Sequence, residues 1–389
     1  MSEAAIASAQ IPLSLYVHWP WCVRKCPYCD FNSHALLTRS AEEGESAYLD
    51  ALIAELVRRA PLAQSRPIET LFIGGGTPSL MSAESVERLL EAVSRTLGFA
   101  PNAEITLEAN PGTVEASRFA AYRAAGVNRI SLGIQSLSDE QLRVLGRIHT
   151  AQEARAAIDV AMRHFDRVNL DLMFGLPNET LAELSDTLTA VTAFGVAHLS
   201  LYQLTIEEGT AFAKRLPAGL PDVDTLADMT DLVQARLAEA GYQHYEVSGY
   251  ARRGMLCRHN LNYWTYGDYL AIGAGAHAKL SNAQGVLRIR NIAAPKRYLE
   301  AVQRSGSGAE EEHWVGETER PFEFMLNALR LVDGVEAALF ESRTGLALST
   351  ISPVLERLRA EGLLVNDPSR IATTERGLRF LSDVQEAFL

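Results

Sequence analysis

Short runs rich in β-branched and aromatic residues recur at intervals of about 25 to 40 residues through the first half of the chain. They are Leu13–His18, Thr70–Gly74, Glu104–Ala109, Arg129–Gln135, Arg167–Met173 and His198–Leu204. Between them stand stretches whose apolar residues repeat at the helical period: Ala47–Arg59, Glu84–Leu97, Glu115–Ala125, Ala151–Phe165 and Leu181–Phe194. Strand alternating with helix predicts parallel strands joined by right-handed crossovers. Six units fall short of the eight that close a full barrel. The expected fold is therefore α/β, an open (β/α)6 partial barrel over residues 12–215. A doubly wound open sheet is the alternative that periodicity does not separate.

Beyond the last run the pattern weakens. PAGLPDVD at 217–224 is rich in Pro and Gly and reads as a connection. A helix near Leu226–Ala240 follows, then an irregular Gly- and Tyr-rich region to about Leu280, so residues 216–305 read as an extension of the barrel. QRSGSGAEEE at 303–312 has the composition of a charged loop or linker. Residues 313–389 read as a smaller mixed α+β tail, with helices near 321–331 and 349–360, a strand, a turn at Asn366–Ser369, a second strand and a terminal helix. That order suggests a winged-helix-like end, expected to pack or dock a partner rather than read DNA.

Charge narrows the partners. Lys and Arg number 36 against 48 Asp and Glu, a net charge of −12, the wrong sign for a protein held to nucleic acid by a basic face. No apolar run approaches the roughly 18 to 20 residues of a spanning helix, and MSEAAIASAQIPLS lacks the features of a secretory signal, so the expected location is the cytosol. Of four cysteines, Cys22, Cys26 and Cys29 fall within eight positions, which in a reducing compartment reads as a metal site.

The residues with chemistry gather where parallel strands end, as ligand sites in α/β sheets do. Cys22–Cys29 follow the first run, Gly74-Gly75-Gly76-Thr77-Pro78 follows the second, Glu108-Ala109-Asn110-Pro111 ends the third, Gln135 ends the fourth and Asp171 stands late in the fifth. C-x3-C-x2-C supplies three thiolates to an iron–sulfur cubane and leaves its fourth iron open. A zinc site completed by Cys257 is the competing reading.

With Tyr28 before the last cysteine, this spacing resembles the radical S-adenosylmethionine (SAM) superfamily, which implies a [4Fe–4S] cluster with SAM on the open iron. YVHWPWCVRKCPYCDFNSH, FIGGGTPSL, EANPGT, NRISLGIQS, LGRIH and NLDLMFGLP together resemble the family of oxygen-independent coproporphyrinogen III oxidase and its heme-chaperone paralogue. The resemblance implies that Tyr16, Tyr28, Gly76, Thr77, Pro78, Glu108, Gln135, Arg147 and Asp171 surround SAM. Their chemistry suits the task. Glu108 and Asp171 accept from amino or ribose hydroxyl groups, Arg147 pairs a carboxylate, Gln135 donates and accepts, and Tyr28 packs on a base.

Two departures point away from the oxidase: Phe31 stands where its pattern has a further cysteine, and few residues precede the first run. HNLNYW at 259–264 matches the HNxxYW string of the chaperone branch, and the resemblance implies that His259 contacts heme, with Tyr263 and Trp264 as apolar surface. His18 and His277 read as structural, and Cys257 as a buried, inert thiol. The expectation is a heme-binding chaperone that delivers heme to an acceptor hemoprotein, leaving open peripheral contact with a membrane-bound acceptor. The competitor is a radical enzyme acting on the propionates of coproporphyrinogen III. An RNA-modifying enzyme fits the cysteines but not the charge.

Overall fold

The computed structural model describes residues 6–35, 41–111 and 116–389. Glu115 of the expected third helix and Gly112–Thr113 of the EANPGT string lie outside the described residues. The main sheet has strands β1 (Leu13–Trp19), β2 (Ile68–Gly75), β3 (Phe99–Ala109), β4 (Arg129–Gln135), β5 (Arg167–Phe174), β6 (His198–Gln203), β7 (Gln243–Glu246), β8 (Gly249–Ala251), β9 (Asp268–Ile272), β10 (His277–Asn282), β11 (Gly285–Asn291) and β12 (Ala309–Trp314). Their order is β12-β11-β10-β9-β1-β2-β3-β4-β5-β6-β8-β7. β1 to β6 are parallel and sequential, with no reversal of order, which removes the doubly wound alternative.

The region after residue 216 differs from the sequence expectation. It is not irregular: β9 pairs in parallel with β1, β10 to β12 continue antiparallel beyond it, and β8 and β7 extend the other edge. One sheet thus runs through both segments that the pattern divided. The expected linker at 303–312 is the end of the Pro295–Ser305 helix followed by β12. Two of its acidic residues have a partner, since Arg290 pairs with Glu310 and Glu311, and the Gly308 amide donates to the buried Glu55 carboxylate.

The strands are apolar on one face only. Leu15, Val17, Leu71, Ile73, Leu107, Ile130, Leu132, Leu170 and Leu199 pack outward against Leu52, Leu56, Leu89, Val93, Phe119, Ile158 and Leu188 of the covering helices. The intervening positions face inward and are largely polar, with Phe72 against Tyr16 and Met173 on the cavity lining as apolar exceptions. Ser14 and Thr70 share a hydrogen bond of 2.7 Å, Ser131 donates to Asp171 at 2.8 Å, and Asn169 donates to Ser131 at 2.7 Å and meets His198 at 2.6 Å. Helix starts are set locally: Thr150 with Glu153, and Thr180 with Glu183, form capping boxes.

Residues 315–389 form a second core around Phe324, Phe340, Leu355, Leu358 and Val384, shared with Tyr245 and Tyr266 of the sheet region. Val335–Glu336 pairs antiparallel with Arg370–Ile371, and Leu364 bridges to Thr373. Asp268 anchors this junction. Its buried carboxylate accepts from Arg66 at 2.8 Å, Lys279 at 3.1 Å and the Ser281 hydroxyl at 2.8 Å. Asp268→Ala strands two buried cations, so urea unfolding is expected to show a loss of about 3–5 kcal/mol. A loss below about 1 kcal/mol would show that the network carries no stability.

Candidate functional site at the strand ends

A cavity of about 330 Å³ opens at the C-terminal ends of β1 to β6. Its cysteine loop is closed at the base by the pairing of Trp21–Cys22 with His34–Ala35, and turned by a Cys29 amide to Cys26 carbonyl bond of 3.2 Å. The Cys29 thiol is 3.6 Å from the Ser33 hydroxyl, and burial pushes the Cys22 thiol up. The glycine loop after β2 packs against this segment. Gly76 donates to the Trp19 carbonyl and Thr77 to the Trp21 carbonyl, both at 2.7 Å. A Cβ on Gly76 would stand 2.5 Å from the Trp21 oxygen, so the residue is bare because two backbones meet there.

Carboxylates dominate the cavity floor. Glu108 accepts from the Gly75 amide at 3.1 Å, and burial, reinforced by Asp171, raises it to about 8. Asp171 accepts from Ser131 and Asn169, yet burial still raises it. Arg147 is the cation at the strand ends, with Arg24 and Lys25 also on the cavity lining. Arg147 donates to the Gly133 carbonyl at 2.8 Å, to Asn110 Oδ1, and to Cys26 Sγ at 3.6 Å, while its buried Nε has no partner among the described residues. Gln135 has φ of 65° at a break in the β4–β5 register, a left-handed backbone held at the cavity wall.

The structure brings together Cys22, Cys26, Cys29, Tyr28, Gly76, Thr77, Pro78, Glu108, Gln135, Arg147 and Asp171. Tyr16 lies below the cavity, bonded to His18 at 2.9 Å. His259 is not brought to it. Its ring is buried in the lumen at the opposite ends of the strands, with Nδ1 2.8 Å from Thr70 Oγ1 and Nε2 2.8 Å from Tyr263 OH. Burial and then Arg129 hold this imidazole down at about 3, neutral and fully bonded. Both ring nitrogens are bonded within the protein, and here His259 packs the lumen. Cys257 is also at that end, 3.8 Å from Glu104, and burial raises it to about 11. Sequence reasoning missed the β6 end, where Tyr202, Gln203, Thr205 and Glu207 complete the wall. The strand-end rule that found the other loops applies there too.

Comparison with known proteins follows this geometry. The Radical SAM superfamily profile matches residues 16–191, and the HemN C-terminal domain profile matches residues 315–380. The protein named heme chaperone HemW of Haemophilus influenzae is 47% identical over 381 residues, spanning 97% of this chain and 98% of that protein. The chain belongs to the HemW family of radical SAM proteins. HemW of Bacillus subtilis is 32% identical over 382 residues, 97% of this chain and 99% of that one. Among solved structures, coproporphyrinogen III oxidase HemN of Escherichia coli, a radical SAM enzyme, has a TM-score of 0.82 at 26% identity, covering 99% of this chain and 92% of that one.

Radical SAM membership implies a [4Fe–4S] cluster and SAM, and the residues present fit both. Three soft thiols line one cavity, yet among the described residues no three His, Cys, Asp or Glu side chains converge on a single-ion site. Three thiolates on one loop can each hold a different corner of a cubane and leave the fourth iron for SAM. The orphaned Arg147 Nε and the two crowded carboxylates suit a zwitterionic ligand with a carboxylate and an ammonium.

Glu108 gives a pH test. Its carboxyl keeps its proton in the folded protein up to about 8, against 4.5 for the ordinary group. The folded state binds more protons between those values, so this contribution to stability is present at low pH and is lost as pH rises through the window. Glu108→Gln removes that loss. Its melting temperature relative to wild type is expected to climb between about pH 5 and about pH 9 in the apo protein; a difference constant with pH would contradict the raised carboxyl.

Proposed function

We propose that the chain is a heme chaperone that binds heme and passes it to an acceptor hemoprotein, on a radical SAM scaffold. The observation that carries this reading is 47% identity across 98% of a HemW chaperone, against 26% to the oxidase that shares the fold. Phe31 supports it: the ring is 61% exposed beside the cluster loop, where the oxidase pattern has a thiol. Four cysteines, all unpaired, suit a reducing compartment. No described helix is long and apolar enough to cross a membrane, so a membrane-bound acceptor would be met at its surface.

In this reading Cys22, Cys26 and Cys29 hold the cluster and leave one iron for SAM. When bound, the pair supplies either reductive radical chemistry or a conformational signal. The chain's own residues orient SAM. Arg147, fixed by Gly133 and Asn110, pairs its carboxylate. Glu108, Asp171 and Gln135 take its amino and ribose groups, and Tyr28 covers the base. Changing any one of the three cysteines to Ala is expected to abolish reconstituted cluster absorbance and iron loading, whereas Cys257→Ala keeps both. Arg147→Ala is expected to weaken SAM binding about 10- to 150-fold with the cluster retained. Unchanged SAM affinity would take Arg147 out of the site.

The chaperone reading itself is tested by transfer. Heme-loaded protein mixed with an apo-hemoprotein is expected to lose its Soret band as the acceptor gains one. A loaded protein that keeps its heme in the presence of excess apo-acceptor would contradict it.

A further inference from the structure

Asp171 reaches the cavity from a strand, and both of its oxygens are held from deeper in the lumen. Oδ2 accepts from the Ser131 hydroxyl at 2.8 Å and Oδ1 from the Asn169 amide at 2.8 Å. The second hydrogen of that amide goes to Ser131 at 2.7 Å, so Asn169 Nδ2 is fully committed. The Asn169 oxygen faces the other way, across the ladder to β6, where it meets His198 Nδ1 at 2.6 Å and accepts from Ser200 at 3.1 Å. Turned over, the amide would set its oxygen against the Asp171 carboxylate and withdraw a donor from it.

His198 decides which way the amide lies. Its ring is buried, and burial, with Arg129 and then Arg167 adding to it, holds the imidazole well below its usual range and neutral. A neutral ring has one N–H. The Asn169 oxygen can only accept, which assigns the proton to Nδ1 and leaves Nε2 to accept from the Tyr245 hydroxyl at 2.8 Å. Tyr245 is buried in the second core, so the ring is fixed at both nitrogens.

We infer that His198 is a positioning residue of the SAM site: its Nδ1–H orients the Asn169 amide, which with Ser131 aims the Asp171 carboxylate at the amino or ribose groups of SAM. The inference rests on the reading of Asp171 as a SAM contact and deepens it by naming what holds that carboxylate in place. His198 acts through other side chains, since neither it nor Asn169 lines the cavity.

The test replaces each half of the imidazole by an amide and measures SAM affinity by isothermal titration calorimetry on the full-length protein with its cluster reconstituted. His198→Asn keeps an N–H where Nδ1 stands, whereas His198→Gln carries its amide out toward Tyr245 and leaves the Asn169 oxygen with the Ser200 donor alone. His198→Gln is expected to bind SAM about tenfold more weakly, and His198→Asn close to wild type, with iron–sulfur content unchanged in both. In an Asp171→Ala background the two are expected to differ no longer, because the path from His198 to SAM is cut. Equal affinities of the two variants with Asp171 in place, or a difference that persists without it, would overturn the assignment while the SAM site stands. A wild-type protein that takes up no SAM would remove the SAM site and the inference together.

Discussion

The molecule depends on the hydrogen-bonded ladder of polar side chains inside its curved sheet. Helices cover the outer face of the parallel strands, so the inner face must satisfy its own polar groups. Ser14, Thr70, Ser131, Asn169, Asp171 and His198 do so across neighbouring strands. One end of the lumen is plugged by the Arg258–Trp264 helix, through His259 bonded to Thr70 and Asn262 bonded to Ser14. The other end is left open, and there the ladder ends at Glu108, Asp171 and Arg147, whose buried Nε has no hydrogen-bond partner among the described residues. Binding capacity is the unsatisfied remainder of a structural network.

That remainder explains why one scaffold can serve an oxidase and a chaperone. The chain shares its fold with HemN, and its strand-end cavity carries the thiols and charged groups that a cluster and a zwitterionic cosubstrate would call for. At the mouth of the cavity Phe31 offers exposed apolar surface. An apolar ring in water is a poor investment in stability and a good one in binding a porphyrin face.

Most of the barrel was legible because its strands and helices have strong, separate periods and its ligand residues follow the strand-end rule. The seventh parallel strand, Asp268–Ile272, escaped because it joins β1 from more than 250 residues away, a pairing that no local pattern announces. The acidic segment before Trp314 looked like a linker because the cation that pairs its Glu310 and Glu311, Arg290, is on β11. The left-handed backbone at Gln135 has no signature in composition. The burial of His259 in the lumen and its bonds to Thr70 and Tyr263 have no signature in the HNLNYW string either, because its partners Thr70 and Tyr263 come from a distant strand and from its own helix.

The central claim is that a complete radical SAM site here serves heme delivery rather than porphyrinogen decarboxylation. The direct measurement is anaerobic incubation of the reconstituted protein with SAM, a reductant and coproporphyrinogen III, with porphyrinogen products followed alongside heme uptake by the same preparation. The expected result is SAM and heme binding with no protoporphyrinogen IX formed. Multiple turnovers to protoporphyrinogen IX would contradict it.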